Sequence, residues 1–187
     1  MIMMTLFRAC LILHLIFGYS TCMSCTRTKN ILGIRNEEIK KSLERMGGRF
    51  QSECINENPG QMLDDTVYNF DETPNESTRL SMAYEALKSV ENIFEKNLSS
   101  TTWDRDELHL FQNMIHQTVK KLQICVGEQL SGSSETKYAN LKIYFEKLNG
   151  ILEDKEHSRC AWEIVRMEML RHLEYLSKFF GSSQYRR

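Results

Sequence analysis

The chain has 187 residues, with 24 Lys plus Arg against 25 Asp plus Glu and a formal net charge of −1. That balance gives no basis for charge-driven binding to nucleic acid or an anionic membrane, and the length suffices for one domain with a real core. Two prolines and nine glycines leave long stretches open to helix.

The amino terminus differs from the rest. Arg8 precedes the apolar run Ala9-Cys10-Leu11-Ile12-Leu13-His14-Leu15-Ile16-Phe17, and small and polar residues follow. A basic start, a short apolar stretch and a small-residue exit read as a secretory signal over 1–24, cut after Ser20 or after Ser24. The run is well short of the roughly 20 apolar residues that a membrane span needs. No later run is longer, so residues 25–187 are expected to form one secreted domain without membrane insertion. Export exposes the cysteines to an oxidising compartment. They stand at 10, 22, 25, 54, 125 and 160. A cut after Ser24 leaves four, an even set for two disulfides; a cut after Ser20 leaves five. Cys22-Met23-Ser24-Cys25 has the spacing of a redox motif, but it straddles the cut and no βαβ pattern follows it.

Five segments then repeat apolar residues at helical spacing. The first, 28–46, aligns Leu32, Ile39, Leu43 and Met46 and stops at Gly47-Gly48, a C-terminal signal. The second, 76–97, aligns Leu80, Ala83, Leu87, Val90 and Phe94. The third, 104–126, carries Leu108, Phe111, Ile115, Val119, Leu122 and Val126 and ends at Gly127. The fourth, 135–154, offers Tyr138, Leu141, Phe145, Leu148 and Leu152. The fifth, 158–180, groups Trp162, Val165, Met169, Leu173, Leu176 and Phe180 ahead of Gly181. Each stripe is one-sided, so each helix must pack on others. The fold class is all-α, a five-helix bundle.

Residues 47–75 form a long aperiodic link, whereas the later links, near 98–103, 127–134 and 155–157, are short. A long link can cross the bundle and set the second helix parallel to the first, while short links imply antiparallel neighbours. Helices one and two then point up, three down, four up and five down. Without the fourth, the core is the up-up-down-down arrangement of helical cytokine bundles. Cys25 and Cys125 fall at one end, Cys54 and Cys160 at the other. A disulfide needs Cα atoms within roughly 7 Å, and helices of this length are near 30 Å long. Pairs Cys25–Cys125 and Cys54–Cys160 are the natural connectivity, unless the long link folds back to permit another.

On the last helix each residue advances by about 100°. Trp162, Val165, Met169 and Leu173 share the buried side. Cys160 faces away with Ile164, Met167, Arg171, Glu174 and Lys178, and Arg166 and Leu170 lie on the flanks. Apolar residues among arginines suit a binding surface, because arginine pairs in a forked geometry at interfaces. An ordinary solvated face with stray apolar residues is the competing reading.

Cys160-Ala161-Trp162-Glu163-Ile164-Val165-Arg166 closely matches the final-helix signature of type I interferons, Cys-Ala-Trp-Glu-x-Val-Arg. The whole chain resembles that family, most of all its teleost members with four cysteines, and Cys25, Cys54, Cys125 and Cys160 each match a family cysteine. The resemblance implies a class II helical cytokine that bridges two different class II cytokine receptor chains and induces antiviral gene expression. It further implies that the long link and the last helix meet the tighter-binding chain, through Ile55, Arg166, Met167, Leu170 and Arg171. The second and third helices would face the other chain. Relatives often carry a basic residue shortly after the link cysteine, where this chain reads Ile55-Asn56-Glu57-Asn58-Pro59.

Other chemistry has little support. Asn75-Glu76-Ser77 and Asn97-Leu98-Ser99 are glycosylation triplets, which place Asn75 and Asn97 as acceptors in an exported chain. His109 and His116 are too far apart for the i, i+4 pair of a zinc site, and His172 borders the core stripe. No metalloprotease, phosphate-loop or nucleophile-elbow motif occurs, so neither enzyme nor cofactor is expected. A monomer is expected, although Ile124 and Ile164, read as exposed, could meet another copy. A related class II cytokine with other receptors and a carrier of an apolar ligand are the alternatives.

Overall fold

Helix α1 runs Ile2–Gly47, far longer than the expected 28–46, because no proline interrupts that stretch. The computed structural model describes residues 2–60, 62–63, 65–68, 76–127 and 138–181, and the side chains of α1 from Cys25 onward. Gly48, at φ +63, ends α1, and its N–H donates to Glu44 O at 3.0 Å. The left-handed conformation is one that glycine adopts without steric cost. The link then forms two short 3₁₀ turns, Ser52–Glu57 and Asp65–Tyr68. Helices α2 (Glu76–Phe94), α3 (Arg105–Val126), α4 (Ala139–Asp154) and α5 (Arg159–Gly181) follow. Among the described residues there is no strand. Asp104 caps α3 by accepting the Glu107 N–H at 2.9 Å, with Asp106 and Glu107 favourably placed in the positive first turn.

Contacts fix the directions. Cys25 at one part of α1 bonds Cys125 at the end of α3, and the Asp104 N–H donates to Met46 O at 2.9 Å at the other end. So α1 and α3 are antiparallel. Asn36 donates to Leu173 O and Ser177 Oγ, both at 2.8 Å, while Arg166 reaches Leu43 O, so α5 also runs against α1. Gln112 Nε2 donates to Phe94 O at 2.8 Å, setting α3 against α2. The result is the up-up-down-down core expected from the link lengths. Every apolar stripe residue named above is buried except Leu80 and Tyr138, which are half-buried against the same core. At the Trp103 end, Phe94, Phe111, Trp103 and Trp162 interlock, with Phe94–Phe111 and Trp103–Trp162 ring centroids 4.7 and 5.9 Å apart. Such aromatic pairs contribute beyond the area that they bury.

The link does more than cross the bundle. Its first 3₁₀ turn lies on α5 and its second on α4, and Cys54, Leu63 and Tyr68 are buried beneath it. Part of the outward face of α5 is therefore covered. Ile164, expected on the surface, is only 1% exposed, because a helical wheel cannot see an aperiodic segment laid over it. Among the described residues, no helix is long and apolar enough to cross a membrane.

Candidate receptor-binding surface

The covering link and the start of α5 are held as one unit. Cys54 and Cys160 are disulfide-bonded with Cα atoms 5.2 Å apart, and Cys25 and Cys125 likewise at 5.3 Å. These are the pairs that the helix layout favours. Around the first, Arg159 pairs with Glu53 and donates to Gln51 Oε1 at 3.0 Å, and Lys155 meets Glu57 Oε2 at 2.8 Å. Exposed pairs of this kind are worth at most about 1 kcal/mol each, so they orient the turn more than they stabilise it. Glu57 is thus committed to Lys155. Ile55 projects from this turn and is 59% exposed.

Farther along, one carboxylate anchors the rest of the link. Glu168 is 1% exposed, and its Oε2 accepts the Leu63 N–H at 3.1 Å and the Met62 N–H at 3.3 Å. Its other oxygen, Oε1, pairs with Arg171. Tyr144 donates its hydroxyl to the Glu168 carbonyl at 3.4 Å. One turn on, the Tyr68 hydroxyl lies 2.9 Å from His172 Nδ1, and the Tyr68 ring stacks on Tyr175 at 4.4 Å. The link is sewn down by a buried polar seam with partners on α4 and α5.

Complete burial among aromatic rings pushes the His172 pKa down to about 3, because the charged imidazolium cannot be solvated there. The folded protein then carries neutral His172 while the unfolded chain protonates near the ordinary histidine value of 6.5. Stability from this group is complete above the unfolded value and is lost as the pH falls from there towards the folded value. The slope is about 1.4 kcal/mol per pH unit, so a fall to about pH 5 should cost roughly 2 kcal/mol. Denaturant unfolding of wild type and His172→Gln at about pH 7 and about pH 5 checks this. The variant should lack this share of the loss, and parallel pH curves would refute the assignment.

The residues expected at the surface separate into two groups. Ile55 is exposed, Met167 and Leu170 are half-buried, and the Arg171 side chain is 36% exposed. Arg166 is a correction, being wholly enclosed at 0% exposure. Its flank position meets Gly47 of α1, where a Cβ would collide with the guanidinium. Glycine there opens a slot, and the guanidinium fills it. Nη2 donates to Glu163 Oε2 at 2.9 Å and to Gly48 O at 3.0 Å. Glu163 in turn accepts the Trp103 Nε1–H at 2.5 Å. Glu163 and Glu168 were not singled out from the sequence. The available signal was the repeated spacing Glu163–Arg166 and Glu168–Arg171, acid and arginine three apart on one helix.

Asn97 is exposed at the turn after α2, with its Oδ1 accepting the Ser99 N–H at 3.0 Å. Asn75 and the Lys178 side chain lie outside the described residues. Ile124 is 60% exposed. His116 Nδ1 lies 2.7 Å from Glu91 Oε1, an α2–α3 link that the sequence reading missed. Among the described residues no group of three His, Cys, Asp or Glu could hold a metal ion.

Comparison with known proteins agrees with this architecture. The family model of the interferon alpha/beta domain matches residues 30–183. The chain is 28% identical to "Interferon tau" of Cervus elaphus, covering 83% of this chain and 82% of that one. It is 26% identical to "Interferon a3" of Oncorhynchus mykiss, covering 90% and 91%. Among solved structures, "Zebrafish interferon 2" superposes with a TM-score of 0.67 at 25% identity, over 78% of this chain and 96% of that one. "Zebrafish interferon 1" shares the fold with a TM-score of 0.69 at 20% identity, over 83% and 97%. A bundle with this topology, a disulfide tying the first link to the last helix, and a family match over most of the length lead to one assignment: the chain belongs to the type I interferon family.

Proposed function

We propose that the chain is a secreted cytokine, freed by cleavage between 20 and 24, that bridges two different class II cytokine receptor chains to induce antiviral genes. One observation carries the reading. The Cys54–Cys160 bridge fuses the link and α5, so that exposed Ile55 and the half-exposed Met167, Leu170 and Arg171 belong to a single supported element. An apolar set with an arginine fork on a rigid base has the composition of an interface hot spot. The second receptor chain would meet α2 and α3. Asn97 is the proposed glycan acceptor within the described residues, and Asn75 a second.

A carrier role is less well supported. The pocket between α2 and α3 is lined by Glu91, Glu95 and His116 beside Phe94 and Phe111, and charged walls do not suit an apolar ligand.

The test is to apply the cleaved protein to teleost cells carrying an interferon-responsive reporter. A dose-dependent response is expected, and Arg171→Ala should raise the half-maximal dose about tenfold, as a loss of 1.4 kcal/mol would. Its thermal midpoint should fall by only a few degrees, since the arginine is 36% exposed, its loss opens Glu168 Oε1 to water, and the link amides still hold Oε2. An unresponsive reporter in cells that answer a known interferon would overturn the reading.

A further inference from the structure

Arg166 and Arg171 each pair with an acid three residues earlier, yet only Arg171 remains partly exposed. Its partner Glu168 is unusual in being divided between two tasks. One oxygen holds the Met62 and Leu63 amides, and the other holds Arg171. We propose that Glu168 is the positioning residue of the docking surface, a buried carboxylate that aims Arg171 outward while it seats the link. The inference rests on the function proposed above.

The physical basis is the cost of burying charge. A carboxylate at 1% exposure must be hydrogen-bonded, and in the folded protein its two oxygens are committed to Arg171 and to the link. Each bond restricts where the others can go. The guanidinium is thereby anchored from the inside, and much of its rotamer freedom is lost before any partner arrives. Pre-organisation of this kind improves affinity by reducing what binding must still order. The same carboxylate sets the height of Met62 and Leu63 above α5. The link's position and the arginine's direction are thereby tied to one side chain, through different oxygens.

Glu168→Gln separates the two tasks, because its amide carbonyl still accepts the link amides while its NH2 turns a donor towards Arg171. Labelled wild type, Glu168→Gln, Arg171→Ala and the double variant are titrated onto responsive teleost cells. Amide exchange is followed in the free proteins. Glu168→Gln should weaken binding about tenfold alone, and less than about threefold in the Arg171→Ala background, since a residue acting through another has nothing left to act on. Exchange at Met62 and Leu63 should stay near wild type. Wild-type binding by Glu168→Gln beside a weakened Arg171→Ala would overturn the positioning role alone. So would equal losses in both backgrounds, or exchange accelerated along the whole of α5. Full binding by Arg171→Ala would instead remove the docking surface, and the positioning role with it.

Discussion

Replacing Cys54 and Cys160 together by serine is expected to lower the unfolding free energy by about 2–5 kcal/mol, the range for a native disulfide in a small secreted domain. The bridge joins residues 106 apart, and chain-entropy arguments put a loop of that size near the upper end, about 4.7 kcal/mol. The packed helices do not depend on the bridge for their pairing, because α1, α3 and α5 are joined by Asn36, Asp104 and a continuous core. The turn Ser52–Glu57 does depend on it. Without the bridge it retains two ion pairs, Arg159–Glu53 and Lys155–Glu57, that are too exposed to hold it. Amide exchange at Cys54 and Asn58, whose N–H groups donate to Gln51 O and Ile55 O, should accelerate strongly. Exchange in the middle of α3 should follow the global stability instead. Denaturant unfolding gives the energetic part. An unchanged midpoint, or a turn still protected in the serine variant, would show that the link is held by something other than this bridge.

The helices were legible because their stripes are regular, and the start of α3 was legible to one residue because Asp104 supplies both a cap and an acidic first turn. The disulfide pairs followed from helix direction, which followed from link length. What the sequence concealed was the path of the link. Met62, Leu63 and Tyr68 have no period, so nothing marks them as a cover over α5 and α4. Ile164 was misjudged for that reason. Arg166 was misjudged for a second one. Its enclosure requires the missing side chain at Gly47, which read as a simple helix stop. A wheel describes one helix against one neighbour, while α5 is packed against α1, α4 and the link. The N-terminal extension of α1 reflects the same limit, since the apolar run 9–17 and the amphipathic stretch after it join without a breaker.

Arg166→Met should show how different two arginines of one helix can be. Removing the guanidinium leaves Glu163 at 1% exposure beside the Trp103 indole donor, and it takes a donor from Leu43 O and from Gly48 O. Breaking a buried ion pair by deleting one partner typically costs about 3–5 kcal/mol, because the other charge stays buried. In a domain of this size the thermal midpoint should fall on the order of 10 °C. Glu163→Gln combined with Arg166→Met should recover part of the loss, since an uncharged amide tolerates that site better than a lone carboxylate. Arg171→Ala has the opposite profile, with weakened cell binding and a much smaller fall in midpoint, because removing this partly exposed arginine lets water reach Glu168 Oε1. Thermal scans and cell binding on the same four preparations decide the matter. If Arg166→Met kept the wild-type midpoint but lost binding, Arg166 would be a contact residue and the enclosed pair would not describe the protein in solution. If the double variant were no better than Arg166→Met alone, the cost would lie in the emptied slot beside Gly47 and not in the unpaired charge.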